Sequence, residues 1–370
     1  MAKLFGNVVG AFADGAILFP LLAALSLLNG FSGVALLATA GIAYIVAGLI
    51  FRIPIPVQPL KSIAIAAIAL GASQSEVGAA GAFLGLTCLV LSLLPINQFA
   101  SKIPRPLIHG VQLGLGILLI TQGIKIGFPI FSTQPVWWLI LMGLIGAMLF
   151  SSQFSIPLLG IVATGGLFYA LFFAHSSFLI PQNPTSDTFR ISILLTLLLP
   201  QLVLTFSNSV VATYDVANRY FPGRSQRVTP KRLLQSIGLG NILSALVGGI
   251  PFCHGSGGLT AHVRGGATHF VSNLIIGGTL LILSIVQFTK GSISLSYPPV
   301  LLSSLLVTTG LFHIQLASLS WQIKTERLRL TMMGIMAVVS QNMLWVLAIG
   351  IFPEIFKLFS LLRPPKTESP

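Results

Sequence analysis

Apolar runs follow one another along this chain with scarcely any polar chain between them. They fall at 8–29, 33–51, 58–71, 77–95, 106–124, 136–151, 156–180, 190–214, 233–249, 256–265, 270–289, 298–312, 329–350 and 352–362. A helix needs about 20 such residues to cross the hydrocarbon core of a bilayer. Runs 58–71, 256–265 and 352–362 are too short to cross alone. Only 7% of the 370 residues are charged, against about 25% in a soluble domain. That is too little charge to cover a water-exposed surface. The chain therefore reads as an all-α polytopic membrane protein of about 14 spans, with little left over for a soluble domain. The first 30 residues form a span and not a cleaved leader. Lys3 is the only basic residue ahead of it, Asp14 interrupts the apolar run, and further spans follow.

The net charge of +13 would suggest nucleic acid in a soluble protein. Here the bases sit in short loops, so no nucleic-acid partner is expected and the lipid bilayer is. Lys102 and Arg105, then Arg219, Arg224, Arg227, Lys231 and Arg232, then Lys324, Arg327 and Arg329, and last Arg363 and Lys366 form four groups. With an even number of passes all four lie on one side, the cytoplasmic one by the bias of Lys and Arg in loops. The opposite loops hold only Lys125, Arg190 and Lys290. A plasma (inner) membrane protein with both termini in the cytoplasm is expected. Twelve spans with re-entrant segments would fit the same charge pattern.

The polar linker "PQNPTSDT" (181–188) straddles the midpoint of the chain. Each half then offers the same design. "GAFADGAILFPLLAAL" precedes "RIPIPVQPLKSIA" in the first half, and "LPQLVLTFSNSVVATYD" precedes "GGIPFCHGSGGLTAHV" in the second. A long span with polar residues is followed by a short, proline-broken one. Seven passes per half is odd, so the second half is inverted. The expected halves are 1–184 and 185–370, and interrupted segments at matching positions point to a transporter and its binding site.

Pro54, Pro56 and Pro59 force residues 53–58 into extended backbone, with a helix beginning near Pro59. Gln58 then sits at the helix mouth, with Lys61 and Ser62 in or near its first turn. In the second segment Pro251 ends one helix and residues 252–254 are extended. Gly255, Ser256, Gly257 and Gly258 let a ligand approach the backbone, with Ser256 as N-cap of a second short helix. Two such N-termini facing each other would make an anion site from free amides and positive dipole ends. Simple kinked helices are the plainer reading of either segment alone.

Several residues keep two readings. Asp14, a lone acid in the first span, fits a proton-coupling role or a structural hydrogen bond. Ser207 and Asn208 fit substrate contact or helix-to-helix adhesion. Asp215 is expected to pair with a loop base, and Arg264 fits a gating charge or a snorkelling interface residue. His254 fits substrate contact, proton transfer or helix capping. Cys253, His254, His262 and His269 lack the spacing of a zinc site and have no acid nearby, so no metal is expected. "GSGGLT" lacks the lysine of a phosphate-binding loop and GxGxxG breaks at Thr260, so no cofactor is expected either. Cys88 and Cys253 lie in apolar context and do not suggest a disulfide framework.

At these residues the chain resembles the molybdate transporter family, a branch of the wider sulfate permease group. "PVQPLKSIA" and "PFCHGSGGLTAHVRGGA" are similar to the two signature segments of that family, which read close to PVQPMK and P-x-CHG-x-GGL-x-x-x-x-R-x-GA. Asp14 within "GAFADGAILFP" and Asn208 within "QLVLTFSNSVVAT" also resemble family segments. His262 and Val263 stand where Gln-Tyr is common, a difference that bears on selectivity. The resemblance covers essentially the whole chain. It implies a seven-plus-seven inverted fold like that of uracil and sulfate permeases, with a core and a gate domain. It also implies an oxyanion site between the third and tenth spans, and secondary-active uptake of molybdate with sulfate as competitor. Only eight residues follow the last run, so no soluble regulatory domain is expected.

The expected substrate-binding set is Gln58, Lys61, Ser62, Asn208, His254, Gly255, Ser256 and Gly257, with Asp14 as the proton-coupling candidate. A proton co-substrate and a homodimer complete the expected partners. The competing readings are an uncoupled anion channel or facilitator in the same fold, and an intramembrane enzyme using Cys253 and His254. The second lacks the acid partner that such chemistry needs.

Overall fold

The structure is a computed structural model that describes residues 2–94, 104–133, 136, 155–172, 188–291, 295 and 297–361. In the first half the elements are α1 (Ala2–Ala13), α2 (Gly15–Asn29), α3 (Gly33–Phe51), β1 (Gln58–Pro59), α4 (Lys61–Leu70), α5 (Gln74–Leu91), α6 (Arg105–Thr133) and α7 (Ser155–Phe172). In the second they are α8 (Ile191–Leu204), a π-helical stretch (Thr205–Ala212), α9 (Thr213–Tyr220), α10 (Pro230–Leu246), β2 (Phe252–Cys253), α11 (Ser256–Arg264), α12 (Val271–Thr289), α13 (Pro299–Trp321), α14 (Lys324–Ser340) and α15 (Met343–Leu361). Six helices among the described residues are long and apolar enough to cross a membrane.

Local chemistry sets the ends. Ser32 caps α3 by accepting from Ala35 N–H, and Thr229 caps α10 ahead of Pro230 at the first helical position. Ser73 and Glu76 form a reciprocal capping box at α5. Glu76 is fully buried and takes both Nε and Nη2 of Arg190, each at 2.8 Å, so the starts of α5 and α8 are clamped together.

Helix packing runs through glycine seams. α3 lies along α12, α5 along α10, and α6 along α13. A Cβ on Gly41 would stand 2.8 Å from the Gly277 carbonyl oxygen, and one on Gly85 2.7 Å from that of Gly238. Gly116 and Gly310 meet the same way at 2.6 Å. Lipid tails are as apolar as leucine, so close backbone approach and dispersion supply the attraction that water exclusion supplies in soluble proteins. α6 also gathers α14 and α15, while α2 and α4 pack against β1 and α10 packs against β2.

Several sequence expectations shift. The first run is not one straight helix, because α1 and α2 break at Asp14. The last two runs, placed at 329–350 and 352–362, are instead α14 and α15, and the break lies at Gln341 and Asn342. Gln341 takes a left-handed conformation (φ 51°) and Asn342 Oδ1 accepts from Leu344 N–H. Hydropathy bridged the break because Met343 and Leu344 follow this polar pair directly. The last helix is therefore not a short one. Asp215 is exposed and forms no ion pair among the described residues, contrary to the expected pairing. Run 136–151, the linker 181–187, Lys102 and the tail with Arg363 and Lys366 lie outside the described residues, apart from Val136.

Candidate functional site

The two proline-broken segments meet. β1 and β2 pair antiparallel, Gln58 opposite Cys253 and Pro59 opposite Phe252. Leu60 N–H donates to Pro251 O at 2.9 Å. Prolines supply the extended backbone but cannot donate from their own nitrogens, so the segments are pinned largely by side chains. Asn241 Oδ1 accepts from Phe252 N–H at 2.6 Å, and Asn273 Oδ1 accepts from Ile55 N–H at 3.0 Å. Buried backbone needs such partners, because an unmade hydrogen bond costs about 1–3 kcal/mol.

From this pair α4 and α11 leave as short helices that start at Lys61 and Ser256. The first four N–H groups of a helix have no partner inside it. In α4, Ser62 N–H is taken by Gln201 Oε1 at 2.8 Å. In α11 no acceptor is found among the described residues for the N–H groups of Ser256, Gly257 and Gly258. Gly257 is exposed, and a Cβ built on it would meet nothing within 4 Å. That is open space at a helix N-terminus, between half-buried Ser256 and buried Gly258.

Lys61 opens α4 and is only 8% exposed. Its ammonium has no hydrogen bond and no ion pair among the described residues. Ser62 is fully buried and its Oγ has no hydrogen-bond partner among the described residues. Asp14 is 1% exposed. Its Oδ2 accepts from Tyr44 OH at 2.8 Å and its Oδ1 accepts from Gln58 Nε2. That leaves Gln58 Oε1 buried without a donor among the described residues. Glycines make room for this arrangement. A Cβ on Gly255 would stand 2.7 Å from Gln58 Oε1, and one on Gly258 would stand 2.8 Å from Asp14 Oδ1. Asp14 thus lies against the first turn of α11, where a helix dipole favours negative charge.

Asn208 lies in the π-helical stretch and its Oδ1 accepts from Ser256 Oγ at 2.6 Å. Ser256 was expected to cap α11. Gly255 holds the cap position instead, and the serine hydroxyl ties α11 to the eighth run. π-Bulges are frequent at functional sites. Here the bulge loosens the helix where its carbonyls and side chains turn toward β2. Thr213 Oγ1 donates both to Asn208 O at 2.9 Å and to His254 O at 2.5 Å.

His254 differs from expectation. It is fully buried, with Nδ1 2.8 Å from Pro56 O and Nε2 2.9 Å from Ser236 Oγ. Both ring nitrogens are engaged by the protein, and the ring packs edge-on against Phe51. A proton on Nδ1 satisfies the proline carbonyl and leaves Nε2 to accept from the serine. The ring ties the extended segment at Pro56 to Ser236 of α10.

The structure therefore brings Asp14, Gln58, Lys61, Ser62, Asn208, Gly255, Ser256 and Gly257 to one place. Sequence reasoning missed Tyr44, Gln201, Ser236 and Asn241. Each is a polar residue inside an apolar run, and nothing in its own neighbourhood shows that it reaches a segment far away in the chain.

This architecture is that of known solute carriers. The transmembrane domain of a cyanobacterium bicarbonate transporter, BicA, superposes with a TM-score of 0.62 at 18% identity, covering 94% of this chain and 97% of that one. SLC26A9 gives 0.62 at 14% identity, covering 95% and 65%. At such identities the likeness concerns the fold. The sequence is more specific. The family described as "Molybdate transporter of MFS superfamily" matches residues 6–119 and 194–312. Molybdate transporter 2 of Arabidopsis thaliana is 30% identical over 339 residues, 76% of this chain and 72% of the relative. The chain belongs to the molybdate transporter family.

Proposed function

We propose that the chain is a secondary-active transporter of an inorganic tetrahedral oxyanion, molybdate with sulfate as competitor, bound between the N-termini of α4 and α11. The observation that carries this reading is the β1–β2 pair. It joins the starts of two short helices, one opening on Lys61 and the other with three amides that have no acceptor among the described residues and open space at Gly257. Fixed N–H dipoles replace an anion's hydration shell without a mobile counter-ion. A single lysine supplies charge without neutralising a divalent anion so fully that it could not leave. Membership of the molybdate transporter family supports molybdate as the anion.

Lys61, Ser62, Gln58 and the amides of Ser256 and Gly257 form the proposed donor set. Gly255 provides clearance, Asn208 positions Ser256, and His254 braces the two extended segments. The halves 1–184 and 185–370 are read as inverted repeats, about 14 spans in all. The order of elements supports that reading: each half has a two-residue strand followed by a short helix, and the glycine seams join α3 to α12, α5 to α10 and α6 to α13, each pairing a helix of one half with a helix of the other. The basic segments and both termini are assigned to the cytoplasm.

Proton coupling is assigned to Asp14. With Asp14 ionised, the Gln58 amide must face it with N–H, so its oxygen is turned toward Gly255. That oxygen would repel an anion. A protonated Asp14 can donate to Gln58 Oε1, and the rotated amide then offers Nε2 to the substrate. Protonation also removes a negative charge from the first turn of α11, where the anion binds. Proton and oxyanion therefore favour each other, and the coupling is reciprocal.

The test is radiolabelled molybdate uptake into proteoliposomes under an imposed proton gradient. Accumulation above the external concentration, abolished by a protonophore, is expected. Uptake that only runs downhill and ignores the protonophore would replace this reading with an uncoupled facilitator.

A further inference from the structure

A groove of about 670 Å³ runs between α3 and α10, on the side of β2 away from the N-terminus of α11 that the proposed anion site uses. Its walls are two facing helical stripes, Ile42, Val46 and Ile50 on α3 and Leu239 and Leu243 on α10, and the Phe252 ring forms part of its floor. The polarity is confined to the ends. At one end the hydroxyls of Thr39 and Ser244 are spent on the carbonyls of Ala35 and Ile250. At the other end are Arg232, Gln235 and Ser236. Arg232 is exposed, and its guanidinium has no partner among the described residues. Exposed Lys231 and Arg227 lie beside it in sequence.

We propose that this groove binds a glycerophospholipid with an anionic headgroup, one acyl chain between α3 and α10 and the phosphate on Arg232. Charge complementarity selects the occupant, because an apolar slot that ends in an unpaired guanidinium matches a molecule with a long hydrocarbon tail and an acidic head. Length agrees. From Arg232 to Leu246 the groove follows α10 for roughly 21 Å, more than the roughly 15 Å depth of one leaflet's hydrocarbon. The site touches the transport machinery from behind. Phe252 belongs to β2, and Ser236 holds His254. A bound lipid thus braces the extended segment that leads into α11.

Native mass spectrometry and thermal unfolding of the full-length protein in detergent test this, with phosphatidylglycerol and phosphatidylcholine of identical chains as probes. Phosphatidylglycerol is expected to bind and stabilise with about fivefold higher affinity, the factor for one basic side chain at an anionic headgroup. Arg232→Gln should remove the preference and Arg232→Lys should restore it. Ala43→Trp, which fills the slot, should weaken both lipids. Equal affinity of the two lipids, or a preference that survives Arg232→Gln, overturns the proposal. So does equal stabilisation by glycerol 3-phosphate, which would make this a free-phosphate site. Concentration-dependent dimers abolished by Ala43→Trp, without lipid discrimination, would assign the groove to a second copy of the chain. None of these readouts depends on molybdate uptake, so the proposed substrate stands or falls separately.

Discussion

α4 and α11 both leave a two-residue strand and begin a short helix at the same junction, yet they equip that junction differently. α4 opens on Lys61, and one of its free amides is already taken by Gln201. α11 opens on Ser256, Gly257 and Gly258, brings no positive charge to the junction, and keeps its amides open. One side supplies charge and the other supplies room. Two lysines would crowd the space that a tetrahedral anion needs, and two glycine-rich turns would leave the anion's charge to dipoles alone. The same backbone device used twice therefore need not carry the same chemistry twice.

The comparison breaks most easily at the lysine. Lys61→Ala should weaken molybdate binding by roughly 10- to 100-fold, the range for hydrogen bonds to a charged group, as read by equilibrium binding of labelled anion. Folding should hold, because no hydrogen bond or ion pair in the described protein uses the ammonium. Adding Ser256→Lys should not rescue it, since a lysine at that position fills the room beside Gly257 that the anion needs. If the charge works equally well from α11, the division of labour proposed here is wrong.

Asp14→Asn comes next. In the native protein anion affinity should fall as pH rises, by at most about tenfold per unit for one linked proton. The asparagine amide donates to Gln58 Oε1 at every pH, so the variant should bind anion with no such slope and should not accumulate it against a gradient. A slope that persists in Asp14→Asn moves the proton site elsewhere.

Two neighbouring glycines separate ligand space from protein space. Gly257→Ala puts a methyl group where the protein has nothing, so affinity should drop while the melting temperature stays. Gly258→Ala drives a methyl group against Pro56, Gln58 and Asp14 at 2.6 to 2.8 Å, so stability should fall by about 1–3 kcal/mol, as for an overpacked core. A stable, fully active Gly258→Ala would mean that α11 does not pack as described. The smallest effect is expected for Ser256→Ala, which loses the bond to Asn208, worth about 1 kcal/mol, and leaves the amides in place.

Proline and glycine made the site legible in the sequence. Pro54, Pro56 and Pro59 restrict their own residues and the ones before them, so extended backbone followed by a helix could be read directly, although the helix begins at Lys61 and not at Pro59. The pairing of β1 with β2 was not legible, because a register between segments so far apart leaves no local mark. The Asp14–Gln58–Tyr44 cluster was hidden for the same reason. The contacts of His254 were not legible either, because Pro56 and Ser236, which meet its two nitrogens, lie far from it or on another element. The break at Gln341 escaped because hydropathy averages over a window wider than the two polar residues that make it.

The most direct test uses the metal of the proposed substrate. Crystals grown with molybdate and measured at the molybdenum absorption edge give an anomalous map that locates the atom independently of any assigned side chain. A single strong peak between the N-termini of α4 and α11, in hydrogen-bonding reach of Lys61 Nζ and Gly257 N–H through the molybdate oxygens, is the expected result. A peak elsewhere in the bundle, or none at a molybdate concentration that saturates binding, would contradict the placement of the anion at this junction.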